Sequence, residues 1–597
     1  MPVSVCPPAD GSSVLAATSF PAAESESSVY RQITDPLGHP ALTALLAATP
    51  LIVLLVLLGV LRVKAYRAAL AGLATAAVLA VVVYGMPAGQ VALGATEGAA
   101  FGLFPIVWIV LGAVWINRLQ RASGHDAVIS RSFARLSDDP RVQAILIAFC
   151  FGAMVESLSG FGTPIAVTSV ILVGLGQPPL KAAAIATFAN TAPAAFGSVG
   201  NPIQALAKVT SFPATELGAM VGRQSAVIAF LVPFVLLFIL DGSRGLRELW
   251  PVALAAGAGF GAGQYLCSNH LAYQLTDLVA ALVSAGAVLV VLRVRRPARP
   301  ADAGPGARRR VPVATRLPAE PEPALAPAGA APLMPPPALS GPGVPAPPAD
   351  PRREVLRAYF PYALLTFLFS LVSYDGPVAR FVDARDVSFT WPGLRVVSAS
   401  GRPLAVATFD FGWLGAAGTL LLCTGVVSAC VLRVSARRAV RCYGEALRQI
   451  RWAALTVSCV LALSYVMNLS GMAVSLGVWL AGAGRLFALL SGLLGWFGVA
   501  LTGSDTSSNA LFGAMQVTAA QHVGISPLLA AATNSTGGVQ GKAAAMQNLV
   551  IAAGAVGLTG REGDILRKVI GWSLAVLTAL CVLAWLQSTS VLGWMVP

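Results

Sequence analysis

Charge is scarce in this sequence. Only 11% of its 597 residues are Asp, Glu, Lys or Arg, less than half of the about 25% usual in a soluble domain. That excludes an ordinary water-soluble globule of this length. Paired cysteines are missing too. The eight cysteines are scattered, several of them (Cys150, Cys423, Cys459 and Cys581) lie inside apolar runs, and no CxxC or metal-ligand spacing occurs. They read as small hydrophobes, so neither a disulfide framework nor a metal centre is expected. Histidine is rare, with four copies, and His270 and His522 stand isolated. Neither HExxH nor GxSxG is present, nor any GxxxxGK[ST] loop. The expectation is therefore no enzyme, no cofactor and no ATP drive. No cleavable leader is expected either, since residues 1–40 hold one basic residue, Arg31, against Asp10, Glu24, Glu26 and Asp35. This stretch is expected to be a disordered extracytoplasmic tail.

What is present is apolar length. Hydrophobic residues make up 56% of the chain and mean hydropathy is +0.74. Apolar runs fall near 42–61, 68–86, 98–116, 143–176, 181–209, 225–240, 251–267 and 275–292, then near 358–373, 411–432, 452–467, 473–491, 494–556 and 570–590. A helix crossing the hydrocarbon core needs roughly 20 such residues. The expected fold is an all-α polytopic membrane protein with about 12–14 transmembrane helices in two repeat-related halves. The first half spans 41–292 and the second 358–597, with an external loop at 374–410.

The net charge of +14 comes from arginines between the runs. Arg62, Lys64 and Arg67 follow the first run, and Arg118, Arg121, Arg131, Arg135 and Arg141 follow the third. These are cytoplasmic loops by the positive-inside rule, which puts the N-terminus outside. Basic segments of this kind, without aromatic platforms, do not indicate nucleic acid. The Pro/Ala/Arg-rich stretch 293–357, with Arg308-Arg309-Arg310 and Pro335-Pro336-Pro337, reads as a cytoplasmic spacer. The arginine-rich block 436–451 reads as a cytoplasmic connecting helix, with anionic-lipid binding as the alternative.

Two of the runs are interrupted, and in matching ways. In the first half, Glu156-Ser157-Leu158-Ser159-Gly160-Phe161-Gly162-Thr163-Pro164 is followed about 30 residues later by Asn190-Thr191-Ala192-Pro193 and Phe196-Gly197-Ser198-Val199-Gly200-Asn201-Pro202. In the second, Leu501-Thr502-Gly503-Ser504-Asp505-Thr506-Ser507-Ser508-Asn509 is followed at similar spacing by Asn534-Ser535-Thr536-Gly537-Gly538-Val539-Gln540-Gly541-Lys542. Lipid offers no hydrogen bonds, so unwound backbone at membrane depth must be buried in protein or line a polar cavity. Paired interruptions of this kind point to a transporter site. The freed N–H groups at half-helix N-termini favour an anion, and hydroxyls and amides add donors. The candidate substrate-binding residues are Ser157, Ser159, Thr163, Asn190, Thr191, Ser507, Ser508, Asn534, Thr536 and Lys542. Lys181, Lys208 and Arg223 are weaker anion partners, and each also fits a helix-end cation. The candidate proton-coupling residues are Glu156 and Asp505, because burial makes a carboxylate hold a proton near neutral pH. Each also fits the role of a half-helix cap, and for Asp505 the surrounding Thr502, Ser504, Ser507 and Ser508 favour that role. Tyr465 and Asn468 mark a further polar break, or helix packing.

These residues resemble the bacterial L-lactate permease family of lactate/glycolate:proton symporters. The run Leu501 to Phe512 is similar to the family's hallmark. So are Asn190-Thr191-Ala192-Pro193 with Ala195-Phe196-Gly197, Gly218-Ala219-Met220-Val221-Gly222-Arg223-Gln224, Val232-Pro233-Phe234 and Ser535 to Lys542. The likeness runs from about residue 98 to 590, outside the spacer and the external loop. It implies a carrier of small 2-hydroxymonocarboxylates in the bacterial plasma (inner) membrane, coupled to protons. Three stretches depart from the family pattern, namely Ser157 to Pro164, Asn201-Pro202, and Ala543-Ala544-Ala545-Met546-Gln547-Asn548. All three lie at the expected site, and the added hydroxyls suit a more polar acid.

The expected function is import of L-lactate, glycolate or a related acid by proton symport. The alternatives are sodium coupling or another organic anion. A carboxylate channel, a sensor, and an intramembrane enzyme using Asp505 with Ser504 or Ser507 fit less well. The expected partners are the substrate, the coupling cation and the lipid bilayer. A homo-oligomer is compatible with the sequence and not specified by it.

Overall fold

The computed structural model describes residues 29–61, 63–134, 136–137, 139–159, 162–294, 350–373 and 377–597. Among these residues, nine helical spans are long and apolar enough to cross a bilayer. They are Pro40–Leu58, Ala65–Val82, Ala88–Ser123, Pro140–Leu158, Ala214–His270, Tyr273–Val294, Ala436–Ser470, Met472–Thr502 and Glu562–Gln587. Three shorter apolar helices accompany them: Thr163–Gly174, Pro179–Ala189 and Ala417–Val431. Large apolar side chains such as Leu45, Val78, Phe367, Trp479 and Phe497 stay exposed, as they should where the solvent is lipid.

The number of crossings exceeds the number of spans. Ala214–His270 has 57 residues, about 85 Å of helix at 1.5 Å per residue, far longer than a bilayer core of about 30 Å. It reverses at Asp241 and Gly242, where Gly242 takes φ +61°. Its two arms pack antiparallel, with Gly222 against Ser268, Gly261 against Ala226 and Gly257 against Phe230. The reversal lies beside Arg141, whose guanidinium binds Asp241 at 2.9 Å and Glu248 at 2.7 Å.

Close helix contact is built on glycine, as expected where burial of apolar surface gives no drive between helices. Gly94, Gly98 and Gly102 recur every four residues along one face. A Cβ at Gly98 would sit 2.7 Å from the Leu461 carbonyl oxygen, and one at Gly102 would sit 2.8 Å from Ser458 Cα. This face therefore presses backbone to backbone against Ala436–Ser470.

The elements that build the central site are labelled in chain order. They are α1 (Gly152–Ser159), α2 (Thr163–Gly174), α3 (Pro179–Ala189), α4 (Gly197–Thr210), α5 (Ala214–His270), α6 (Thr276–Val294), α7 (Phe487–Thr502), α8 (Asp505–Val523), α9 (Pro527–Gly541), α10 (Met546–Ala555) and α11 (Glu562–Gln587). Two of the joints are hairpins that turn on a left-handed glycine: Gly162 (φ +77°) before α2 and Gly503 (φ +75°) before α8. In the second, Ser491 meets Gln516 and Ser508 meets Gly495, so α7 and α8 run antiparallel. The halves also cross over. Helix α4 packs on α8, and α10 packs on α2.

The N-terminal tail is not uniformly unstructured. Tyr30–Arg31 pairs with Val396–Val397 of the loop expected to be external, and the buried Tyr30 hydroxyl lies within hydrogen-bond distance of both the Tyr84 and the Ser470 carbonyl. That loop also holds an antiparallel pair, Val387–Thr390 with Thr408–Phe411. Most of the expected disordered tail and of the Pro-rich spacer lies outside the described residues.

Candidate functional site

Both interrupted regions meet at the centre. Helix α3 ends at Asn190, and the chain then unwinds. Ser198, Val199 and Gly200 take φ values of +48°, +60° and +74° in succession. A β-branched residue in this region is strained by about 1–3 kcal/mol, so the surrounding packing must hold it there. Val199 is indeed buried. Helix α9 ends at Lys542, and the chain passes through 543–545 before α10 begins. Asn548 Nδ2 donates to the Lys542 carbonyl at 2.9 Å, closing that break.

Glu156 and Lys542 lie 386 positions apart in the chain, yet Lys542 Nζ reaches Glu156 Oε1 at 2.5 Å. Glu156 is 1% exposed and Lys542 7%. With its amide oriented to satisfy both neighbours, Asn190 donates to Glu156 Oε2 at 3.2 Å and accepts from Lys542 Nζ at 3.3 Å. Gly197, which opens α4, is packed against the same carboxylate; a Cβ there would lie 2.8 Å from Oε1.

Asp505 anchors a second cluster beside the first. Its Oδ2 accepts from Ser535 Oγ at 2.6 Å and from Asn509 Nδ2 at 3.3 Å. Asn509 also donates to Ser535 Oγ and the Pro202 carbonyl, Asn534 donates to Asn509 Oδ1 at 2.9 Å, and Gln516 donates to Asn534 Oδ1 at 2.7 Å. Asp505 occupies the first turn of α8, whose N-cap Ser504 accepts from the Ser507 N–H. The charge thus sits where the helix dipole favours it. Its Oδ1 has no hydrogen-bond partner among the described residues.

Two hydroxyls named from sequence line one narrow crevice, Thr191 and Thr536, together with Ser225 and Gln540. Thr536 Oγ1 donates to Gln224 Oε1 at 2.6 Å, and Gln224 in turn donates to Thr533 and Gln587 at 2.9 Å. Other expected site residues spend their hydroxyls on helix carbonyls: Ser157 on Met154, Thr191 on Phe188 and Ser508 on Gly495. Ser507 is buried, and Thr163 is half-buried at the start of α2. The side chain of Ser159 lies outside the described residues. The weaker cations are engaged elsewhere. Lys181 donates to the Leu240 carbonyl, Lys208 binds Asp410, and Arg223 binds Asn269 and the Met595 carbonyl.

The list read from sequence omitted Asp277 of α6. It is fully buried beside the Gln264 amide, neither carboxylate oxygen is held at hydrogen-bond geometry among the described residues, and it lies within electrostatic reach of Glu156 and Lys542. Asp505 lies within reach of Lys542 as well. The signal for Asp277 was available as an acid inside the apolar run 275–292. Gln224, Gln264 and Gln540 were also left out of that list. The second unpartnered buried acid, Glu97, sits apart from this site near Lys208, Asp410 and Tyr465.

A family model described as L-lactate permease matches residues 43–591. The chain belongs to the L-lactate permease family. The L-lactate permease of Bacillus subtilis is 37% identical over 94% of this chain and 98% of that protein. Glycolate permease GlcA of Escherichia coli is 35% identical over 95% of this chain and 99% of its own length. The Escherichia coli L-lactate permease is 35% identical over 95% and 100%. Among solved structures, the YdaH transporter of Alcanivorax borkumensis has a TM-score of 0.42 and 14% identity over 82% of this chain and 86% of that one. Membership in this family, with nine apolar spans among the described residues, makes the chain a multi-pass permease of the bacterial inner membrane rather than an enzyme.

Proposed function

We propose that this permease imports L-lactate, or a close 2-hydroxymonocarboxylate such as glycolate, by symport with a proton. The observation that supports this reading is the buried Glu156–Lys542 pair bridged by Asn190. Lys542 is the cation that a substrate carboxylate would seek, and Glu156 occupies it. Protonating Glu156 removes its charge and frees the ammonium for the substrate. Proton binding and anion binding then favour one another by the same free energy, which is what coupling requires.

The charge balance of the site supports the same reading. Glu156 is paired with Lys542, and Asp277 and Asp505 lie within electrostatic reach of it, so full ionisation would leave an excess of negative charge in a buried place. Unpaired charge there is costly, and a proton relieves it. The acids of one site therefore need a cation, and the cation helps an anionic substrate to enter.

The experiment is uptake of radiolabelled L-lactate into proteoliposomes with the interior alkaline. Accumulation that collapses with a protonophore supports the proposal. Uptake that follows an imposed sodium gradient and ignores the pH gradient replaces the proton with sodium. Absence of lactate and glycolate uptake by folded protein moves the substrate to another carboxylate.

A further inference from the structure

Gln540 is the least satisfied uncharged side chain in the centre of this protein. It is fully buried, and neither its amide nitrogen nor its amide oxygen has a hydrogen-bond partner among the described residues. Across the crevice, the Ser225 hydroxyl is also buried and also unpartnered. A buried amide or hydroxyl left without a partner is destabilising by more than a typical hydrogen bond gains. Thr536 is engaged with Gln224, and Gln224 with Thr533 and Gln587, while Gln264, on the helix of Ser225, donates to the Ala192 carbonyl and leaves its Oε1 without a partner among the described residues. At this crevice the deficit is thus confined to two groups facing one space.

In this conformation the crevice is closed too tightly to admit a water molecule and must widen to take a substrate; its remaining walls include Ile228, Ala229 and Val539, which are apolar. It lies next to the ion pair, because Gln540 is two residues before Lys542 and Thr191 follows Asn190 directly. A carboxylate placed toward Lys542 leaves the carbon next to it at this crevice. There an amide can donate and accept, a serine hydroxyl can do either, and an aliphatic wall can take a methyl group.

We propose that Gln540 and Ser225 read the 2-hydroxyl group of the substrate, making the crevice the site that separates 2-hydroxy acids from plain monocarboxylates. The inference rests on the function proposed above and adds to it the residues that set substrate choice. A site built to hydrogen-bond a hydroxyl rejects the analogue lacking it, because its own polar groups are then left bare.

The test compares counterflow of L-lactate and of propionate, which lacks the hydroxyl, in proteoliposomes of the full chain. Wild type is expected to favour lactate. Gln540→Met and Ser225→Ala are each expected to lower the lactate-to-propionate ratio by about tenfold. An unchanged ratio in folded variants, or a proportional loss of both substrates, overturns the assignment. Should Gln540→Met not fold, Ser225→Ala, which removes a single oxygen atom, decides the matter alone. Wild-type protein that carries neither acid refutes the proposed function itself, a result distinct from an unchanged ratio.

Discussion

If Glu156 carries the coupled proton, as proposed, replacing it by Gln separates binding from coupling. In the wild type, one carboxylate and one ammonium form a pair at 2.5 Å with Asn190 across both. Under the proposed coupling, one proton on Glu156 releases one lysine for one carboxylate, a stoichiometry of one to one. For a monoanion carried with one proton the cycle is electroneutral, so only the pH difference drives it. A tenfold proton gradient is worth about 1.4 kcal/mol and sustains about tenfold accumulation. The amide introduced by Glu156→Gln is a permanent mimic of the protonated acid. It can still accept from Lys542 and still meet Asn190, and the lysine charge keeps Asp277 and Asp505 within reach. The variant should therefore lose less stability than the about 3–5 kcal/mol expected when a buried pair loses a partner outright. The assay has two arms, namely net accumulation under an inside-alkaline gradient of about one pH unit, and lactate counterflow without a gradient. The expected outcome is accumulation near unity with counterflow retained. A Glu156→Gln protein that still concentrates lactate about tenfold would refute the coupling role, because no titratable group would then remain at that position.

Three further outcomes follow from the same geometry. Lys542→Gln removes the ammonium paired with Glu156, so it should abolish counterflow and be destabilising by about 3 kcal/mol; thermal unfolding should show Glu156→Gln/Lys542→Gln recovering stability while transport stays absent, and additive losses would argue against the pair. Gly538→Ala places a Cβ 2.5 Å from Asp505 Oδ1 and 2.9 Å from Val499, an overpacking of about 1–3 kcal/mol, whereas Gly554→Ala meets nothing within 4 Å and should unfold at or above the wild-type temperature. Asp277→Asn removes one of the unpartnered buried acids and should raise the unfolding temperature at about pH 8 while slowing net uptake, the usual exchange of stability for function; a lower unfolding temperature would show that the ionised carboxylate is held by favourable contacts.

How much of this was legible beforehand depended on whether the signal was local. The apolar runs, the breaks at Gly162 and Gly503, and the polar clusters after them are properties of short segments. Lipid imposes strict rules on short segments, since every backbone group must be satisfied within the helix or hidden in protein. The sequence reading placed Glu156, Asn190 and Lys542 in one polar region, and the three side chains do meet. The fold-back inside Ala214–His270 was legible as well, because the polar stretch Asp241 to Glu248 separates the apolar runs 225–240 and 251–267.

Partnership was not legible, because it is set by which helices cross. The spacing of residues along the chain does not say that Lys542 would find Glu156 rather than Asp505, which is nearer in sequence. Asp505 Oδ2 is instead held by Ser535 and Asn509 from the facing turns of α8 and α9. Helix α4 carries the first-half break onto α8, and α10 carries the second-half break onto α2, so each half completes the other's unwound region. A lysine at the end of α9 is thereby delivered to an acid in α1. Three hydroxyls of the expected site already donate to carbonyls in this structure. Ser157, Thr191 and Ser508 face carbonyls in their own or adjacent helices, the default for a hydroxyl in a membrane helix. The crevice groups without a partner among the described residues are Gln540 and Ser225, and these are the two that the proposed selectivity assigns to the substrate.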